Sequence, residues 1–200
     1  MQECRLAANK LTCQRGARLL FADLSFALGP GEALQVAGAN GTGKSSLIRI
    51  AAGLLAPLAG QIEYTEAIGL VDERPALDPH LPLGQALGLW QRIDGAADNE
   101  AARLGLGALM DVPVRYLSTG QKKRAALARL IGQQAKVWLL DEPLNGLDSK
   151  GIALVEALAA EHCQDGGICL IASHQPFALG SMTRLELTAF EPAPFEPAGA

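Results

Sequence analysis

The nine residues GANGTGKSS, at 38–46, restrict this chain more than any other stretch. They follow the apolar run ALQVA and lead into SSLIRIAAGLL, whose spacing predicts a helix. The pattern is G-x-x-x-x-G-K-[ST], with Gly38, Gly43, Lys44 and Ser45 in the fixed places. Glycines let successive backbone N–H groups turn into one concavity, which suits a phosphate. The helix N-terminus behind them adds unpaired N–H groups and the positive end of its dipole. Lys44 is placed to reach the β- and γ-phosphates of a nucleoside triphosphate, and the Ser45 hydroxyl to ligate Mg²⁺. The full pattern in its strand–loop–helix setting outweighs the alternative, an ordinary glycine-rich turn.

At 200 residues the chain makes one domain with room for a subdomain, and 49% hydrophobic residues suit a globular core. A formal net charge of −4 argues against a nucleic-acid partner. The local basic run KKR, at 122–124, reads as a solvated helix face. Cys4, Cys13, Cys163 and Cys169 form no CxxC pair and show no zinc spacing, so reduced thiols of a cytosolic protein are expected. The N-terminus MQECRLAANK has no apolar h-region, and no run approaches the ~18 apolar residues of a membrane helix. A soluble protein is expected, with any membrane span supplied by another chain.

Along the chain, LLFADLSFALGPGEALQVAG alternates and breaks at GPGE, which predicts a hairpin of strands ending in the phosphate loop. A Pro/Gly turn in GLLAPLAGQIEY leads to another strand, and AIGLVD is a short buried strand. From about 73 to 134 the pattern becomes helical, with LPLGQALGLWQR and NEAARLGLGALM as amphipathic helices. KVWLLDEP and ICLIAS read as strands buried on both faces, joined by the helix KGIALVEALAAEHCQDG. Strand, helix and strand in succession predict a mostly parallel α/β core. The expected organisation is one unit over 1–190, a helical subdomain near 73–134, and a loosely ordered Pro/Ala-rich tail at 191–200.

Two further clusters carry chemistry. VWLLDEP sets Asp141 and Glu142 at the carboxyl end of a buried strand, where open α/β sheets keep their ligands. Adjacent acids there are costly unless a cation or substrate occupies the site; Mg²⁺ on Asp141 and a water on Glu142 account for both. In YLSTGQKKRAALARLIGQQ, Ser118 is a candidate N-cap, and Leu127, Leu130 and Ile131 mark the inner face of the helix. That helix mouth is a second candidate anion site.

The phosphate loop, LSTGQ, LLDEP, NGLD at 145–148 and ASHQP around His174 stand in the order found in ABC-type ATPases, and the resemblance runs from about residue 5 to 185. It implies a P-loop NTPase (RecA-like) α/β core with an N-terminal antiparallel β subdomain and an inserted helical subdomain. ATP and Mg²⁺ are the implied cofactors, with Gly38, Asn40, Gly41, Gly43, Lys44, Ser45 and Ser46 on the nucleotide and Ser45 and Asp141 on the metal. Family members pair head to tail, so Ser118, Gly120 and Gln121 would serve ATP on a second copy's phosphate loop. Glu142 would be the general base, His174 a γ-phosphate contact, and Asp148 a residue of the dimer seam.

Within that family, LSTGQKKRAALARL, VWLLDEPLNGLD and ASHQP make the chain similar to ATP-binding subunits of cytochrome c maturation haem exporters. The resemblance implies membrane-spanning partner subunits and a peripheral place on the cytoplasmic side of the inner membrane. No CxxCH and no evident haem context of His80, His162 or His174 would hold haem in this chain. Three positions depart from the family pattern. Arg74 stands in VDERPALDP where a glutamine is usual, Arg15 replaces an adenine-stacking aromatic, and Thr119 replaces a signature glycine. The guanidinium plane of Arg15 can stack on a base. A different cargo, a soluble non-transport ATPase and a regulatory nucleotide-binding subunit remain as alternatives.

Overall fold

The computed structural model describes residues 5–95, 100–180 and 182–191. Strands β3 (Ala33–Ala37), β6 (Val137–Asp141) and β7 (Ile168–Ala172) are buried at every residue. Unbroken apolar runs of this kind need cover on both faces, and they form the middle of a parallel sheet. With β5 (Ile68–Val71) and β8 (Met182–Glu186) the order is β5-β6-β7-β3-β8. A second, antiparallel sheet holds β1 (Leu6–Arg15), β2 (Arg18–Leu28) and β4 (Ala59–Tyr64), in the order β2-β1-β4.

Because side chains alternate along a strand, the parallel sheet feeds two cores. Val36, Val137, Leu139, Ile168 and Leu170 face the antiparallel sheet and α1 (Lys44–Ala51), packing with Leu6, Leu11, Phe21, Leu24 and Ile48. Trp138, Leu140, Cys169 and Ile171 belong to the other core, with residues of α2 (Leu83–Asp94), α4 (Thr119–Gly132) and α5 (Ser149–Gln164). Each large apolar side chain so buried contributes about 1.5–3 kcal/mol.

The structure corrects the expected hairpin. GPGE does join β2 to β3, but the two strands lie in different sheets. β2 pairs antiparallel with β1 across the Gly16 turn, while β3 runs parallel to β7 and β8. Full burial of ALQVA, against the alternation of β2, is the physical signal that separates them. The expected helix at 99–110 is also broken within the described residues, Asn99 lying outside them: α3 spans Glu100–Arg103, Gly105 takes φ +67°, and a 3₁₀ turn follows at Gly107–Leu109. Glycine interrupts the helix where its apolar spacing predicted continuity. β1 and β8 were not anticipated as strands. Of the expected tail, only Glu191 lies within the described residues, and Cys4 lies outside them.

Candidate active site

Ala37 ends β3 and the chain turns through Gly38, Gly41 and Gly43 at φ +149°, +83° and +111°. A side chain at Gly43 would press on Leu20 and Phe21 of β2 at 3.2 Å, so the antiparallel sheet holds the loop against the mouth of α1. No side chain caps α1, leaving its first-turn N–H groups directed out of the helix as anion donors. Asn40 and Gly41 lie exposed on the loop crest, and a Cβ at Gly41 would meet nothing within 4 Å. The Ser46 hydroxyl faces the Cys13 thiol of β1, so its backbone N–H is what it offers the loop.

Lys44 folds back over this loop. Its Nζ donates to the Gly38 carbonyl at 2.9 Å and the Ala39 carbonyl at 3.1 Å, and lies 3.6 Å from Glu142 Oε1. The Ser45 hydroxyl donates to Asp141 Oδ1 at 3.0 Å, bringing residues 96 positions apart together. Glu142 Oε2 is 2.9 Å from His174 Nδ1. Lys44, Ser45, Asp141, Glu142 and His174 therefore form one constellation at the carboxyl edge of β3, β6 and β7. Burial pushes the Asp141 carboxyl above its ordinary pKa; the Ser45 hydrogen bond opposes this, and the charges of Glu142 and Asp72 add to it. A buried acid beside a second acid and a hydroxyl is the kind of oxygen donor set that suits Mg²⁺, which takes few protein ligands and completes its shell with phosphate and water.

Glu142 carries a second peculiarity, a φ of +46°, in the left-handed region that non-glycine residues occupy at a cost of about 1–3 kcal/mol. Its N–H donates to the Ala172 carbonyl at 2.8 Å, so β7 fixes its entry. His174 is positioned by groups that sequence reasoning overlooked. Buried Gln35 of β3 donates from Nε2 to the Gln175 carbonyl at 2.7 Å, and Ser173 Oγ donates to the same carbonyl at 3.0 Å. A buried glutamine inside the apolar run ALQVA is the one signal that could have marked it, since such a group needs a partner.

Ser118, Gly120 and Gln121 do not join this constellation. Ser118 caps α4 in a reciprocal capping box with Gln121, whose Oε1 accepts from the Ser118 N–H at 2.8 Å. Ser118 and Gly120 line a separate cleft of about 630 Å³ with Gly146, Asp148 and Lys150. Asp148 caps α5, accepting from the Gly151 N–H at 2.8 Å. Thr119 packs on Gly146, where an added Cβ would come within 2.8 Å of its methyl carbon. Arg15 is exposed at the end of β1, and Arg74 is exposed in a turn where its N–H donates to Asp72 Oδ1 at 2.8 Å.

The KKR run is not the solvated face expected of it. Lys122 Nζ and Arg124 Nη1 each donate to a backbone carbonyl, of Arg115 and Leu104 respectively, both at 3.2 Å. Lys123 is buried. It occupies the same inward face of α4 as Leu127 and Leu130, a place that the charge of the run conceals.

Residues 21–145 match the family model for ABC transporters. The chain is 56% identical over 192 residues to a cytochrome c biogenesis ATP-binding export protein of Novosphingobium aromaticivorans, covering 96% of this chain and all of that one. A protein of the same description from Zymomonas mobilis is 49% identical, over 93% of this chain and 86% of its own. Its counterpart in Haemophilus influenzae is 38% identical, over 95% and 98%. Among solved structures, an ABC transporter subunit of Clostridium perfringens, cbiO1, superposes with a TM-score of 0.71 at 28% identity, over 87% of this chain and 80% of that one. With a phosphate loop, an acidic strand end and a histidine loop assembled on this fold, the chain belongs to the ABC transporter family, among its cytochrome c biogenesis ATP-binding export proteins.

Proposed function

We propose that this chain hydrolyses ATP to drive a membrane complex that exports haem for cytochrome c biogenesis. The observation that carries the reading is the convergence of Lys44, Ser45, Asp141, Glu142 and His174 at one sheet edge, in a chain 56% identical to an export protein of that pathway. No helix among the described residues is long and apolar enough to cross a membrane. In this reading partner subunits supply the span, and the chain sits peripherally on their cytoplasmic side.

The residues divide the chemistry. Gly38, Asn40, Gly41, Gly43 and Ser46 present backbone N–H groups to the phosphates, and Lys44 exchanges its two loop carbonyls for phosphate oxygens. Ser45 and Asp141 would hold Mg²⁺, which when bound would neutralise charge on the triphosphate. Glu142 orients water and takes its proton, while His174, hydrogen-bonded to Glu142, steadies the carboxylate and faces the γ-phosphate. Ser118, Gly120 and Gln121 act on the nucleotide of a second copy, paired head to tail. The cleft lined by Ser118 and Gly120 supports this, since no phosphate-loop residue is among those that line it.

The test is genetic and chemical together. Cells lacking the chain should fail to accumulate covalently haem-bearing cytochrome c. Restoring the parent should recover it, and restoring Lys44→Ala should not. Normal haem attachment in cells lacking the chain would overturn the cargo assignment.

A further inference from the structure

Several contacts hold Glu142, and only those of Lys44 and His174 belong to the constellation above. Its carboxylate faces Lys44 and His174. Its N–H is tied to Ala172 on β7. Its carbonyl oxygen accepts from the Asn145 N–H at 3.3 Å and from Lys123 Nζ at 3.2 Å, the second a contact that reaches from the middle of α4 to the end of β6.

We infer that Lys123 is a positioning residue for hydrolysis: its ammonium holds the Glu142 carbonyl and so keeps that left-handed residue aiming its carboxylate at the attacking water. The inference rests on Glu142 being the general base. At φ +46° the backbone of Glu142 gains nothing from its own side chain's preferences, so outside bonds must hold it. β7 fixes only the N–H side of the residue. On the carbonyl side, the oxygen accepts from the Asn145 N–H at 3.3 Å, a bond local to the turn, and from Lys123 Nζ at 3.2 Å, the contact that ties that turn to α4. A small rotation there swings the carboxylate away from the γ-phosphate.

Lys123 is built for this role and not for the surface. It is 8% exposed, on the buried face of α4 that also carries Leu127 and Leu130. Burying an ammonium is costly unless it is hydrogen-bonded and faces negative charge. Burial lowers its pKa, and the carboxylates of Asp141, Asp72, Glu73 and Glu142 act against that, favouring the charged donor. Its stem lines a cleft of about 340 Å³ with Asp72, Pro75, Glu142 and Asn145. The helix it stands on begins at Ser118, so the contact ties the element offered to the second copy's nucleotide to the catalytic carboxylate of this one. Movement of α4 is thereby felt at Glu142.

The full chain, co-purified with its membrane subunits, tests this with Lys123→Met, which keeps the stem and removes the donor, and Lys123→Arg, which keeps a donor. Single-turnover hydrolysis should fall roughly tenfold to a hundredfold in Lys123→Met, the scale of a misplaced catalytic group. ATP affinity should stay within about threefold, because ground-state contacts are untouched. Lys123→Arg should recover most of the rate. In a Glu142→Gln background, Lys123→Met should cause no further loss, since its effect passes through that carboxylate. An unchanged rate in Lys123→Met overturns the inference, as does equal loss of rate and affinity, or a full further loss in the double variant. Glu142→Gln alone separates the two readings: hydrolysis near the parent rate removes Glu142 as the base, whereas a dead Glu142→Gln beside a fully active Lys123→Met removes only Lys123.

Discussion

Lys44 is held by two backbone carbonyls of its own loop at 2.9 and 3.1 Å, so its charge is already fixed above the phosphate cradle. Lys44→Ala leaves the triphosphate facing neutral N–H groups alone. Hydrogen bonds to charged groups are worth about 1.5–3 kcal/mol, so calorimetry should show ATP binding weakened by roughly tenfold or more, with turnover abolished. Unchanged affinity would place Lys44 off the phosphates. Asp141 and Glu142 are neighbours with different surroundings, and their variants should part company. Glu142→Gln keeps shape and hydrogen bonding but cannot accept a proton, so hydrolysis should fall ~10²–10⁴-fold with ATP affinity intact. Asp141→Asn removes a buried carboxylate hydrogen-bonded to Ser45, and its activity should lose its response to Mg²⁺ concentration. Mg²⁺ titrations of both variants separate the roles; identical behaviour would sink the division. The residues of this constellation were legible in the sequence because the loop spacing and the paired acids are local. Gln35 and Lys123 were not, because each acts on a segment distant in sequence.

At the scale of elements, β4 is held to β1 through a break in register between Asn9 and Thr12. Gly60 sits at that break with φ +81°, and an added Cβ would collide with the Asn9 and Lys10 carbonyls. Backbone cannot yield as a flexible side chain can. Gly60→Ala should therefore cost about 2–5 kcal/mol, from strain and overpacking combined. Thermal unfolding checks it, and a melting temperature within a degree of the parent would show that the sheet shifts freely. On the opposite side, His162 of α5 stacks on Trp138 of β6, with ring centroids 3.9 Å apart. Burial lowers its pKa from 6.5 to about 4. The unfolded chain thus takes up a proton as pH falls below 6.5 while the folded chain resists it down to about 4. Unfolding should become easier across that window as pH falls, with the loss complete below it. Denaturant titrations at several pH values should show a shallower pH slope for His162→Phe than for the parent. Equal slopes would mean the histidine protonates in place. Neither feature shows in an amphipathic pattern, which reports the buried face of an element but not the partner met there.

On the scale of the whole molecule, the cleft holding Ser118, Gly120 and Asp148 is lined by neither Lys44 nor Glu142, and it adjoins a second cleft, lined by Glu142, through Thr119 and Gly146. In the proposed reading, two such sites are completed by pairing two copies. Light scattering of Glu142→Gln should show a monomer or weak dimer without nucleotide and a mass increase to a stable dimer with Mg-ATP, trapped because hydrolysis cannot release it. No increase with ATP would count against head-to-tail pairing. Pairing would also place the two copies' α4 helices across the seam, each tied through Lys123 to the backbone carbonyl of its own Glu142.

The sequence alone determined the chemistry that depends on spacing: a strand–loop–helix cradle at 38–46, two acids at the end of VWLLD, and a capped helix at Ser118. Such features are written within a few residues, and backbone hydrogen bonding carries them into local structure unaided. Only tertiary structure decided which sheet receives β3, why a glutamine belongs inside ALQVA, and that a lysine in a basic run is buried. Those outcomes depend on what packs against each segment. Residues 35 and 175, or 123 and 142, meet because the parallel sheet and α4 bring their ends together. A buried polar group must then pair with whatever the fold presents to it.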